Sequence, residues 1–217
     1  MKTKRLLIMG PPGAGKGTQA VNIVDTYGVC HISTGDMFRE AIKAGTEMGN
    51  LAQSFISKGE LVPDSVTVGI VRDRLAQDDC KNNGFLLDGF PRNLDQARAL
   101  DEIMAELGYN LTGVINIDVD KNALIGRIVG RQICKSCGAS YHVTLKKPQV
   151  EGICDRCGSP LFTRPDDTEE VLVNRLNVYE GQTAPLLAYY NERGLVMNVD
   201  GNQELDEVFA QIKEYLK

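Results

Sequence analysis

The run RLLIM (5–9) leads directly into GPPGAGKGT (10–18). A short apolar run that ends at a glycine turn fits a central parallel strand, buried on both faces. From Gly15 a helical pattern extends to about Tyr27, with Ala20, Val21, Ile23 and Val24 inward and Gly28 as the stop. This strand–loop–helix unit constrains the chain more than any other feature. In that setting GxxxxGK is a phosphate-binding loop: its backbone N–H groups wrap a phosphate, the helix N-terminus adds positive potential, and Lys16 reaches the β/γ oxygens. Gly17 follows the lysine where a hydroxyl residue is usual, and the hydroxyl comes one place later, at Thr18. Thr18 is therefore a candidate Mg²⁺ ligand, displaced from the usual position.

The same alternation continues. VCHIS (29–33), GFLLD (84–88), GVINIDV (113–119) and LVMNV (195–199) read as four further strands. Between them lie helical patterns at about 36–44, 47–58, 64–76, 93–108 and 121–130, with Asp64 and Asn93 as expected N-caps. A helical pattern from about 168 to 192 is interrupted by Pro185, and QELDEVFAQIKEYL closes the chain. The expectation is an α/β fold: a five-stranded parallel sheet with helices on both faces. Ligands of such sheets bind beyond the carboxyl ends of the strands, where Lys16, Thr34, Asp88 and Asp118 fall. Asp88, and with it Asp36, are the acids expected near Mg²⁺, directly or through water.

Residues 131–165 change character, with cysteine, glycine, proline and short mixed runs, and read as an insertion with its own small fold. Cys134-x-x-Cys137-Gly and Cys154-x-x-Cys157-Gly, sixteen residues apart, have the spacing of a tetrahedral zinc site. Four thiolates leave no open position, so such a metal is structural. Two disulfides or an iron centre are the alternatives. Cys30 and Cys80 lie outside the pattern and read as incidental thiols.

With 24 Lys and Arg against 29 Asp and Glu, the net charge is −5. A nucleic-acid partner is not expected from that balance. The apolar run after the basic start MKTKR is too short for a signal-peptide core, and no stretch nears the ~20 apolar residues of a membrane span. A cytoplasmic location without a membrane partner is expected.

Five segments in order, GPPGAGKGT (10–18), HISTGDMFR (31–39), GFLLDGFPRN (84–93), RIVGRQIC (127–134) and RPDDTEEVLVNRL (164–176), closely resemble the adenylate kinase family, in its long-lid, zinc-containing bacterial type. The resemblance spans essentially the whole chain. It implies a P-loop nucleoside monophosphate kinase that interconverts ATP plus AMP and two ADP with Mg²⁺. It also implies three parts: a core with the phosphate loop (1–32, 63–129 and 168–217), a helical AMP-binding segment (33–62), and a lid with the zinc site (130–167). By motif position, Gly13, Ala14, Gly15, Lys16, Gly17, Thr18, Arg127, Arg131, Ser140, Tyr141 and Gln203 match the ATP side. Thr34, Arg39, Glu60, Leu61, Val62, Gly89, Phe90, Pro91, Arg92, Gln96, Arg164 and Arg175 match the AMP side. Three departures are present: Asn93 replaces the usual threonine, Gln132 stands where some relatives carry arginine, and Pro165 lies inside the RxDD motif at a variable position.

The implied chemistry suits these residues. Two nucleotides and a transferring phosphoryl group concentrate negative charge, which Lys16 and the planar, always-charged Arg39, Arg92, Arg127, Arg131, Arg164 and Arg175 would stabilise as catalytic groups. An AMP phosphate oxygen is already ionised, so no general base is required, and neither histidine, His31 or His142, falls in a nucleophile arrangement. Water is the competing acceptor, so closure of the 130–167 segment would precede transfer, with Gly130 as a hinge point. A monomer is expected. Three rivals remain at this stage: a kinase for another monophosphate such as UMP or CMP, a P-loop ATPase whose zinc ribbon binds nucleic acid, and a zinc-stapled module that binds ATP only to change shape.

Overall fold

The computed structural model describes residues 3–217. Strands β1 (Lys4–Met9), β2 (Cys30–Ser33), β3 (Gly84–Asp88) and β4 (Gly113–Asp118) join a late strand, Val196–Asp200, in one sheet. Their order, β2-β3-β1-β4 and then the late strand, is parallel at every pairing. The expected five-stranded parallel sheet is present. Alternation within β1 feeds two cores, with Leu6 and Ile8 on one face and Leu7 and Met9 on the other. All four are at most 5% exposed, which is why the strand reads as an unbroken apolar run.

Helix α1 (Lys16–Tyr27) follows β1 and buries Gln19, Ala20 and Ile23. Gly28 ends it in the left-handed conformation, its N–H returning to the Val24 carbonyl. Helix α2 (Thr34–Lys43) starts two residues before its expected position, because the Ser33 hydroxyl accepts from the Asp36 N–H and caps it. Helices α3 (Glu47–Ile56) and α4 (Asp64–Leu75) follow. Asp64 does not cap α4 as expected: Pro63 holds that position, and Asp64 is the first helical residue with its carboxylate aimed elsewhere. A short helix absent from the sequence reading, α5 (Asp78–Asn83), precedes β3.

Helix α6 (Leu94–Glu106) is capped as expected by Asn93, whose side chain accepts from the Gln96 N–H. Helix α7 (Lys121–Ile128) leads into a three-stranded antiparallel sheet of β5 (Arg131–Cys134), β6 (Ser140–His142) and β7 (Leu161–Phe162). The inserted segment thus has a small sheet of its own, separate from the five-stranded one. Gly130, at its root, has φ +97°, and a Cβ there would lie 2.6 Å from Val143 and 3.2 Å from the His142 ring.

The final layer contains α8 (Glu169–Val178), α9 (Leu186–Asn191), the sheet-closing β8 (Val196–Asp200) and α10 (Leu205–Tyr215). A π-helical segment, Tyr179–Thr183, lies between α8 and α9. Pro185 lacks an N–H and cannot continue the α-helical ladder, so the backbone widens there before the helix resumes. Among the described residues no helix is long and apolar enough to cross a membrane.

Candidate functional site

Strand register sets the site. Ser33, Asp88 and Ile8 are neighbours across β2, β3 and β1, so the loops beyond them open at one edge. A cleft of about 920 Å³ lies there, within the range that holds nucleotide-sized ligands. Its lining includes the phosphate loop from Gly13 to Thr18 and, from the rest of the chain, Arg39, Arg92, Arg127, Arg131, Arg164 and Arg175. All six arginines singled out in the sequence converge on this one space. Ser140, Tyr141 and Gln203 line it as well, as do Asp36, Asp88, Gly89 and Pro91. A smaller side cavity is bounded by Thr34, Glu60, Leu61, Val62, Gln96 and their neighbours, and shares Arg39, Gly89, Arg92 and Arg175 with the cleft.

Two residues depart from the expected arrangement. Phe90 is 2% exposed and packs into the hydrophobic core, so its ring is not part of either cavity wall. Asp118 is exposed at the end of β4 and lies outside the cleft lining.

The cations crowd one another. The Lys16 ammonium donates to the Gly10 and Pro11 carbonyls at 2.7 and 2.9 Å. Burial lowers its pKa to about 8; Asp88 opposes the shift, and the guanidiniums of Arg92, Arg175 and Arg131 add to it. Burial and then Arg175 pull Arg92 down to about 10, against the pull of Asp88. Burial and then Arg39 do the same to Arg164, and burial also lowers Arg175. A set of buried positive groups that destabilise one another's charge is preorganised for a polyanion.

Carboxylates hold these arginines in place. Asp167, its side chain fully buried, accepts from Arg131 Nε at 2.8 Å and from Arg131 Nη2, with Arg175 Nη1 3.7 Å away. Asp166 lies 3.3 Å from Arg175. Asp36 accepts from Arg39 Nη2 at 2.6 Å and from Arg164 Nη2 at 3.3 Å. Burial alone would raise its pKa, but Arg39 and then Arg164 hold it below the ordinary value. The sequence reading assigned no role to Asp166 or Asp167, although the pair stands beside Arg164 in RPDDTEE. It also missed Thr183, which donates to the Arg92 carbonyl at 2.7 Å, and His31, whose Nε2 is 3.8 Å from Asp88 Oδ2.

The four cysteines of the small sheet lie together, with all four Sγ atoms within 4.8 Å of one another. Cys134 and Cys157 are 3.4 Å apart, and Cys137 and Cys154 3.5 Å. Ligands about 2.3 Å from a tetrahedral zinc are separated by about 3.8 Å, so this cage fits zinc with a small relaxation. Outside it, Cys80 is buried and Cys30 half-buried beside Asp79 and Arg74.

This parallel sheet, with a glycine loop and an arginine-lined cleft at its carboxyl edge, defines a P-loop nucleotide kinase. The adenylate kinase family model matches residues 8–195. The chain is 58% identical to an adenylate kinase of Lactococcus lactis subsp. cremoris strain MG1363, over 97% of this chain and 99% of that one. It is 56% identical to one of Symbiobacterium thermophilum, over 98% of both chains, and 55% identical to one of Carboxydothermus hydrogenoformans, over 98% and 99%. The chain belongs to the adenylate kinase family, with the four-cysteine cage of the zinc-containing long-lid type.

Proposed function

We propose that the cleft transfers the γ-phosphoryl group of Mg·ATP to AMP, giving two ADP, by positioning and electrostatic stabilisation. The observation that carries this reading is the convergence of Lys16 and six arginines on one cleft from separate stretches of chain. In this reading residues 33–62 and the side cavity hold AMP. Arg39, Arg92, Arg164 and Arg175 grip its phosphate, with Thr34, Gln96, Gly89 and the Glu60–Val62 backbone around the nucleoside. Residues 10–18, Arg127, Arg131, Ser140, Tyr141 and Gln203 hold ATP. The 130–167 segment closes over both as a lid and excludes water. The membership of the family supports this reading, as does the capacity of the cleft.

Asp88 is the acid best suited to Mg²⁺ or its water shell. It is a mostly buried carboxylate facing the phosphate loop, and His31 and Lys16 outweigh burial to hold its pKa below the ordinary value. Asp36 is committed to Arg39 and Arg164 and serves to orient them. When bound there, Mg²⁺ would supply charge neutralisation to the transferring phosphates. Thr18 offers a hydroxyl close by. In the lid, Cys134, Cys137, Cys154 and Cys157 would hold zinc, which supplies the rigidity that so small a sheet lacks.

The test is ADP formation from Mg·ATP with AMP, UMP, CMP or GMP supplied singly. Rapid formation with AMP alone is expected. Preference for UMP or CMP would overturn the base assignment, and hydrolysis indifferent to any monophosphate would overturn transfer itself.

A further inference from the structure

The Gln96 side chain is 2% exposed and borders the side cavity assigned above to AMP. Both ends of its amide already have a partner. Oε1 accepts the Arg92 backbone N–H at 2.8 Å, and Nε2 donates to Asp64 Oδ1 at 2.7 Å. A backbone N–H only donates and a carboxylate only accepts, so the two contacts allow one orientation of the amide. Asn93 reinforces it. Its Oδ1 caps α6 through the Gln96 N–H at 2.9 Å, which turns its NH₂ toward Asp64, 3.0 Å from each carboxylate oxygen. A threonine here would have one hydroxyl proton and could not engage both oxygens while capping. Asp64 is therefore not the helix cap its sequence position implies; it is the acceptor that aligns two side-chain amides.

We propose that Asp64 is a specificity-determining positioning residue: by fixing the polarity of the Gln96 amide it selects a monophosphate whose base presents a ring-nitrogen acceptor beside an exocyclic amino donor. One N–H of Nε2 and one lone pair of Oε1 remain for a ligand. In that order they complement adenine, whose N1 accepts and whose 6-amino group donates. Hypoxanthine has nearly the same shape but reversed polarity, N1–H donating and O6 accepting. Reading it would require the amide to turn over, placing Oε1 against the Asp64 carboxylate and the NH₂ against the Arg92 N–H. The proposal rests on the assignment of the side cavity to the monophosphate.

The experiment compares kcat/KM for AMP and for inosine monophosphate at saturating Mg·ATP, in the unaltered protein, in Asp64→Asn and in Asp64→Ala. A mispolarised bidentate contact corresponds to about 10- to 100-fold in discrimination, so the unaltered protein should prefer AMP by at least about that ratio. In Asp64→Asn the side-chain oxygen can still accept from Gln96 Nε2, so most of the AMP-to-inosine ratio should persist, with KM for ATP unchanged. Asp64→Ala removes the acceptor and leaves only the Arg92 N–H to orient the Gln96 amide, so it should narrow the ratio about tenfold through the KM of the monophosphate. Equal use of AMP and inosine monophosphate by the unaltered protein would overturn the proposal and needs no variant. So would a folded Asp64→Ala that keeps the original ratio. Absence of AMP-dependent ADP formation in the unaltered protein would instead overturn the assignment of the cavity.

Discussion

Replacing Asp167 by alanine isolates the contribution of one buried carboxylate to the arginine cluster. Its side chain is fully buried and that of Arg131 is 18% exposed, and two hydrogen bonds join them. Removing one partner of such a pair leaves a charge with little access to water, which costs about 3–5 kcal/mol. The small exposure of Arg131, and the remaining Asp166 beside Arg175, favour the lower end of that range. For a chain of this length each kcal/mol lowers Tm by about 2–4 °C, so a loss of about 6–12 °C is expected in the ligand-free protein. Saturating Mg·ATP would give the freed guanidinium a new anionic partner, and the deficit between variant and parent should shrink by about half or more. Differential scanning calorimetry, with and without nucleotide, measures both numbers. A Tm within about 1 °C of the parent would refute the view that Asp167 counterbalances the cluster. A full deficit that persists with nucleotide bound would refute the view that the cluster's charge is directed at phosphate.

Three further outcomes follow from the same geometry. Cys134→Ser should reduce bound zinc from about one per chain and lower activity by loosening the 130–167 segment; metal analysis and limited proteolysis within that segment check this. Gly89 has φ +82°, and an added Cβ would lie 2.9 Å from the Thr34 hydroxyl and 3.0 Å from Arg92 Nη2. Gly89→Ala should therefore cost about 1–3 kcal/mol of backbone strain and most of the activity, read by thermal unfolding and steady-state assay together. The Tyr190 hydroxyl is buried and has no hydrogen-bond partner among the described residues. Tyr190→Phe should thus be neutral or stabilising, by up to about 1 kcal/mol in chemical denaturation, with turnover unchanged.

Much of the sheet could be read from the chain because its strands are buried on both faces and appear as compact apolar runs, RLLIM and GFLLD among them. Asn93 was legible because capping is local, spanning three residues. Elements without apolar periodicity were not. Helix α5 is DDCKNN, with Cys80 as its single buried residue, so its pattern carries no amphipathic signal. The strands of the cysteine unit are two to four residues long, too short for alternation to register. The arginines of the cleft stood out through their motifs, but their supports did not, since Asp167 meets Arg131 across 36 positions. Asp64 shows the same limit most clearly. Next to Pro63 it looks like a cap, and only folding brings Asn93 and Gln96, 29 and 32 residues away, onto its oxygens.

The contrast between a chain of net charge −5 and a cleft walled by six guanidiniums also bears on how ligands arrive. For an anionic nucleotide, a net negative chain with arginines gathered at the cleft favours encounters at the mouth over encounters elsewhere on the surface. The field reaches about one Debye length, roughly 8 Å at physiological salt. Ionic strength should then govern how fast nucleotides are captured more than how firmly the enclosed phosphates are held, because salt screens the approach path and is excluded from the filled interior.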